Sequence, residues 1–214
     1  MTITISENHR REEEIKKSRF ICQLARVQTE EEAQDFVQAM KKLHPKANHN
    51  CWTYVLGDHQ EVQRMSDDGE PSGTAGVPML EVLKKWELTN VVAVVTRYFG
   101  GIKLGAGGLI RAYAGSLAHA LDEVGLVAYV PQRELYISLD YGLYDSLQRF
   151  LAERELVIQE AEFLEAVKVK LYVDEAVVPD LEAELTEQFQ AKLSISKGEE
   201  LIAEIPYKRE LEGS

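Results

Sequence analysis

Residues 88 to 121 contain no aspartate or glutamate, in a chain of 214 residues that carries 36 of them. An even spread would place about six there. The segment reads LTNVVAVVTRYFGGIKLGAGGLIRAYAGSLAHAL, so Arg97, Lys103 and Arg111 have no acidic partner within it. Cysteine is scarce as well, with only Cys22 and Cys51. No secretory segment precedes them, so buried free thiols are expected rather than a disulfide. The opening MTITISENHRREEEIKKSRF lacks the apolar core of a signal peptide. No apolar run is long enough to cross a bilayer. A cytoplasmic location with no membrane partner is therefore expected. The patterns GxSxG, HExxH, CxxC and GxxxxGK[ST] are absent. No metal and no cofactor is expected.

What is present is an ordinary globular composition, 45% apolar and 28% charged. The net charge of −12 argues against nucleic-acid binding by the whole surface. The charge is uneven. Residues 1–130 hold 15 basic and 17 acidic side chains, whereas residues 131–214 hold 9 basic and 19 acidic. The first part is free to present a basic face. The second is too acidic to meet nucleic acid by charge. The length allows two small domains. The charge shift and the change in element pattern place the division at Pro131, giving domains 1–131 and 132–214.

The polar first dozen residues are expected to be mobile. A strand is expected over 19–27. A helix follows over 30–43, with Thr29 as N-cap, Glu32 closing a capping box, and Ala33, Phe36, Val37 and Met40 on one face. His44-Pro45 stops it. Further expectations are a strand over 51–56, a turn-rich loop SDDGEPSGTAGVP, a helix over 79–86 and a central strand over 91–98. A glycine loop leads into a helix over 107–124, then a short strand over 126–130 and a boundary at Pro131. Beyond it, alternating Leu135, Ile137 and Leu139 and alternating Val167, Val169, Leu171 and Val173 mark strands. Stripes at Leu143, Leu147, Phe150, Leu151 and at Val178, Leu181, Leu185, Phe189 mark helices. With strands over 156–163 and from 193, the order is βαββαβ, the ferredoxin-like pattern.

Two loops carry candidate chemistry. In the first, Arg97 and Tyr98 end a strand; Gly100, Gly101, Lys103, Gly105, Gly107 and Gly108 follow; Arg111 lies at a helix start. Strand, glycine turn and helix suit a bound anion, because backbone N–H groups and the helix dipole point at it. The same glycines also suit close packing of helix on sheet. The second loop holds Asp67, Asp68, Glu70, Ser72 and Thr74. It suits a hard cation, a structural turn with an N-cap at Ser72 or Thr74, or internal pairing with the three cations. His49, two residues before Cys51, suits a metal pair, a Cys/His pair or a hydrogen-bonded core histidine. One acidic and one cationic loop, both beside helix starts, are expected to form one cleft.

IKKSRF (15–20), HNC (49–51), SDDGEPSGTAG (66–76) and VVTRYFGGIKLGAGGLIRAY (94–113) together resemble the YigZ/IMPACT family. The resemblance implies an α+β chain. Its first domain would have the fold of the second domain of ribosomal protein S5, which also occurs in a translocating elongation factor and in galactokinase-type kinases. Its second would be ferredoxin-like, similar to the last domain of that elongation factor. Eukaryotic relatives regulate translation by interfering with activation of a kinase of initiation factor 2. They do so with an added N-terminal RWD domain that this chain is not expected to contain. The expected function is a non-catalytic, translation-associated regulator that binds RNA or the ribosome through the glycine-loop face. Two alternatives stand. One is an enzyme acting on a small phosphorylated substrate through Asp67, Asp68 and Glu70. The other is a regulator that binds a protein partner of the translation machinery without any anion.

Overall fold

A run of five apolar residues at 91–95 can satisfy its surroundings only if both faces of its strand are covered. A computed structural model describes residues 1–209 of the chain, and in it all five are fully buried. Two compact units are present among the described residues, Met1–Ala128 with residues 205–209, and Tyr129–Glu204.

The first unit runs β1 (Thr2–Ile5), β2 (His9–Ile15), β3 (Ser18–Arg26), α1 (Glu30–Leu43), β4 (His49–Leu56), β5 (Val62–Ser66), α2 (Gly76–Lys85), β6 (Val91–Tyr98) and α3 (Gly105–Val124). The strands order as β2-β3-β6-β4-β5, each adjacent pair antiparallel. One face packs on α1 through Val92, Val94, Tyr54, Ala33 and Val37. Strand alternation sends Val91, Ala93, Val95 and Arg97 to the other face, toward α2 and α3. Cys22 and Cys51 both pair with Val95, from opposite sides. They are therefore two strand spacings apart, about 9–10 Å, which is beyond disulfide reach. Both are buried free thiols, and burial pushes both well above the ordinary thiol range.

The second unit uses β7 (Leu126–Leu139), α4 (Tyr144–Ala152), β8 (Ile158–Phe163), β9 (Val167–Asp174), α5 (Val178–Gln188) and β10 (Leu193–Tyr207). β7 lies between β10 and β9, and β9 pairs with β8. Both helices cover one face of this sheet, over Leu135, Ile137, Val169 and Leu171. This is the ferredoxin-like βαββαβ arrangement, and the chain is α+β throughout.

Some expectations need correction. The first dozen residues form β1 and β2 rather than a mobile tail. β2 carries no apolar alternation because the side facing α3 is Arg11, Glu13 and Ile15, all half-buried. Ion pairs do there what apolar contacts do elsewhere: Arg11 Nε lies 2.7 Å from Glu123 and Nη1 3.0 Å from Glu13. β5 was unforeseen. α2 and α3 begin at Gly76 and Gly105, earlier than the apolar stripes suggest. Pro131 does not break the chain and sits inside β7.

Candidate functional site

β6 ends by turning Arg97 inward. Its Nη1 donates to Glu70 Oε1 at 2.8 Å. Both side chains are almost fully buried, at 7% and 3% exposed. The guanidinium sits over the rings of Phe20 and Phe99, 5.6 and 5.5 Å from their centroids. Tyr113 of α3 donates its hydroxyl to the same Glu70 oxygen at 2.7 Å, and burial drives its phenol far above the ordinary range. Arg97 Nε is buried without an acceptor. The charge of Arg97 is thus neutralised inside the domain. It was expected to contact a bound anion directly, and it instead anchors the acidic loop beneath the glycine loop.

The acidic loop is held together by its own carboxylates. Asp67 accepts from the backbone N–H of Gly73 (2.9 Å), Ala75 (3.1 Å) and Gly76 (2.8 Å). It fills the start of α2, where Ala75 offers no side-chain cap. Ser72 is exposed and Thr74 donates to Pro71 O, so neither expected N-cap caps that helix. Asp68 and Gly69 both have positive φ, 44° and 87°, in a tight turn closed by Glu70 N–H to Asp67 O. The Asp68 carboxylate accepts from Lys41 Nζ and the Asn50 N–H, each at 2.7 Å. Among the described residues no group of three His, Cys, Asp or Glu is placed to hold a metal.

His49 stands between the loops. Its Nδ1 lies 2.9 Å from Asp68 O, so that nitrogen carries the hydrogen. Its Nε2 lies 3.7 Å from Glu70 Oε2. Cys51 gives its thiol hydrogen to Asp67 O, so it is a core thiol and not half of a catalytic pair. Tyr98 points to the opposite face from Arg97. Its hydroxyl bonds to His44 Nδ1 at 2.9 Å and Arg19 covers its ring, so Phe99, not Tyr98, is the aromatic at the cleft.

The glycine loop itself carries the free charge. Lys103 and Arg111 are exposed, and neither makes an ion pair or hydrogen bond with any described residue. No side chain caps α3 and its first turn has no acid. Gly101, Gly105 and Gly107 are exposed and Gly108 is half-buried. Gly100 is required: a Cβ there would sit 1.8 Å from Lys17 O. That close approach brings the β2–β3 hairpin against the loop, and with it Lys16 and Lys17, both exposed. Sequence reasoning missed these two because the strand that ends at Ile15 was missed. Lys16 and Lys17 have φ of 47° and 61°, left-handed values that Asn-Gly adopts more easily.

Between the loops lies a cavity of about 380 Å³. Pro71, Phe99, Leu104 and Leu109 form its apolar wall; His49, Glu70 and Arg97 line its polar side, and Lys103 is at its edge.

Residues 16–121 match the Impact N-terminal domain, and residues 137–192 match the Domain of unknown function (DUF1949). The chain is 48% identical over 196 residues to the IMPACT family member YvyE of Bacillus subtilis, covering 92% of this chain and 90% of that one. The chain belongs to the IMPACT family. A second member, YigZ of Escherichia coli, is 36% identical over 190 residues, covering 88% of this chain and 93% of YigZ. A solved structure described as a crystal structure of an hypothetical protein aligns with TM-score 0.58 at 34% identity, over 91% of this chain and 95% of that one. All the loop residues described above lie inside the matched Impact N-terminal domain. No helix among the described residues is long and apolar enough to cross a membrane.

Proposed function

We propose that this IMPACT family protein is a non-catalytic, translation-associated regulator that binds RNA, on or off the ribosome, through the glycine-loop face. The observation that supports it most is the start of α3. That helix is 20 residues long and uncapped; Lys103 lies just before its start, Arg111 lies on its second turn, and Lys16 and Lys17 lie in the hairpin packed on Gly100, all four without a carboxylate partner. Bare N–H groups at a helix start attract phosphate. Arg97 and Tyr98 are left out of the contact because Glu70 neutralises the Arg97 charge and the Tyr98 hydroxyl is bonded to His44 on the opposite face. The link to translation comes from the family resemblance.

Contacts of this kind recognise phosphate and not sequence, so binding is weakly sequence-specific and strongly salt-dependent. The test is co-sedimentation with ribosomes, and titration of single-stranded RNA, at several salt concentrations. The double variant Lys103→Ala/Arg111→Ala is expected to fold normally. It should bind more weakly, with a log–log salt slope reduced by about 1.4. No association at low salt, or equal binding by wild type and variant, would exclude this function.

A second reading is an enzyme acting on a small phosphorylated substrate, and the cavity favours it. It predicts turnover that depends on a divalent metal. Against it, Asp67, Asp68 and Glu70 are each already held by hydrogen-bond donors of the protein.

A further inference from the structure

The polar side of the cavity is short of a hydrogen. His49 Nδ1 faces the Asp68 carbonyl at 2.9 Å. A carbonyl only accepts, so in the neutral ring the lone pair is on Nε2. That lone pair is 3.7 Å from Glu70 Oε2. The other oxygen of Glu70 is already taken by Arg97 and Tyr113. With the His49 ring neutral, two acceptors stand side by side at the wall of the cavity with no hydrogen between them. Opposing acceptors in a partly buried site are unfavourable until a donor arrives. The remaining walls are Pro71, Phe99, Leu104 and Leu109, which suit a flat apolar ring, and Phe99 is 46% exposed. At the edge are Lys103 and the uncapped start of α3, which suit a phosphate. A volume of about 380 Å³ falls within the range of small-ligand sites.

Resting on the RNA-binding function above, we propose that this cavity receives one nucleotide residue whose base carries an exocyclic amino group. The amino group of adenine, cytosine or guanine has two hydrogens and reaches both His49 Nε2 and Glu70 Oε2. Uracil has one hydrogen on this edge, at N3, flanked by carbonyl oxygens, so it can meet only one of the two acceptors and sets a carbonyl against the other. The base lies against Phe99 and Leu104, and the phosphate meets Lys103 and the first N–H groups of α3. The nucleotide is a free monophosphate or an unstacked residue of an RNA strand; the chemistry is the same.

The experiment is calorimetric titration of the intact protein with AMP and with UMP, then with oligoadenylate and oligouridylate. AMP is expected to bind at least about tenfold more tightly than UMP, the worth of one or two hydrogen bonds. Two variants occlude or disarm the cavity. Ala106→Trp, at an exposed position in the first turn of α3, should abolish AMP binding with an unchanged circular dichroism spectrum. His49→Ala should reduce the preference for AMP over UMP, because it removes one of the two acceptors. Equal affinity for AMP and UMP, or undiminished AMP binding by Ala106→Trp, would overturn the cavity proposal even if Lys103→Ala/Arg111→Ala still weakened RNA binding. RNA binding indifferent to Lys103→Ala/Arg111→Ala would overturn the RNA-binding function while AMP selectivity still upheld the cavity. Preference among the mononucleotides without preference between the oligonucleotides identifies the occupant as a free nucleotide; preference in both identifies an RNA residue.

Discussion

Two helices of the first domain follow the two loops that form the cleft, and their starts are treated in opposite ways. The start of α2 is filled by Asp67, whose carboxylate takes three backbone N–H groups. The start of α3 has no cap and no acid. α1 makes the contrast sharper. Thr29 caps it by accepting from Glu32 N–H, and Glu30, Glu31 and Glu32 occupy its first turn. A chain with 36 acidic residues has supplied carboxylates to two helix starts and withheld them from the third. Bare N–H groups beside unpaired lysines leave stability unrealised, and departures of this kind concentrate where a protein meets a ligand. The structural role of acid in this cleft is to build one side of it, so that the other side stays positive.

The comparison breaks most severely at Glu70. Replacing Glu70 by Gln leaves Arg97 buried without its counter-charge, and the expected loss of stability is about 3 kcal/mol. Adding Arg97→Met should restore most of it, because Gln still accepts from Tyr113 and no charge remains buried. Urea denaturation of the two single variants and the double variant checks this. Additive losses would show that the two side chains do not act as a pair. Asp67→Asn comes next. It keeps one acceptor and turns an amide NH₂ toward backbone donors, so a loss of about 2 kcal/mol is expected. Stability unchanged by this substitution would mean that the start of α2 needs no carboxylate.

Most of the fold was legible because its signals are periodic. The alternation at Val167, Val169, Leu171 and Val173, the stripe at Val178, Leu181 and Leu185, and the unbroken apolar run at 91–95 each fix an element by burial alone. β2 was not legible, since its inward side is charged and its fit depends on partners more than a hundred residues away, Ser116, His119 and Glu123. The two loops were legible as a charge contrast, and their meeting follows from it. The pairing within the cleft was not: nothing in sequence spacing says that Glu70 rather than Asp67 or Asp68 takes Arg97. The same holds for Tyr98 and Phe99. They are adjacent, and only the register of β6 decides which of them faces the cavity.

A smaller effect tests whether Lys16 and Lys17 are placed for binding. Both hold left-handed backbone conformations in a two-residue turn. Lys16→Asn with Lys17→Gly gives that turn the residues it prefers, so stability should rise by about 1 kcal/mol. RNA or ribosome association should weaken at the same time. Higher stability with unchanged association would assign the hairpin no part in binding and would leave the start of α3 with Lys103 and Arg111 alone.

The smallest effect separates the two ends of α3. Its far end is tied down by charge: Glu123 meets Arg11 at 2.7 Å and His9 at 3.1 Å. The hydrogen bond from Arg11 holds the Glu123 carboxyl below its ordinary value. Burial opposes ionisation of Glu13, but hydrogen bonds from Ser116 and Arg11 outweigh it, so Glu13 also titrates low. A carboxyl whose pKa is lower folded than unfolded contributes stability above the unfolded value and loses it as pH falls through the folded value. Both groups start from 4.5, so this contribution should fade below about pH 4.5 and be absent under strong acid. Glu123→Gln should flatten the acid limb of the stability curve slightly and leave stability near neutral pH almost unchanged, because the pair is on the surface. At the near end, Ala106→Gln should have no effect on that limb, since the first turn of α3 carries no acid and Ala106 makes no ion pair. An acid limb unaffected by Glu123→Gln would mean that β2 is held to α3 by packing, and that the two ends of the helix differ less in their use of charge than their contacts imply.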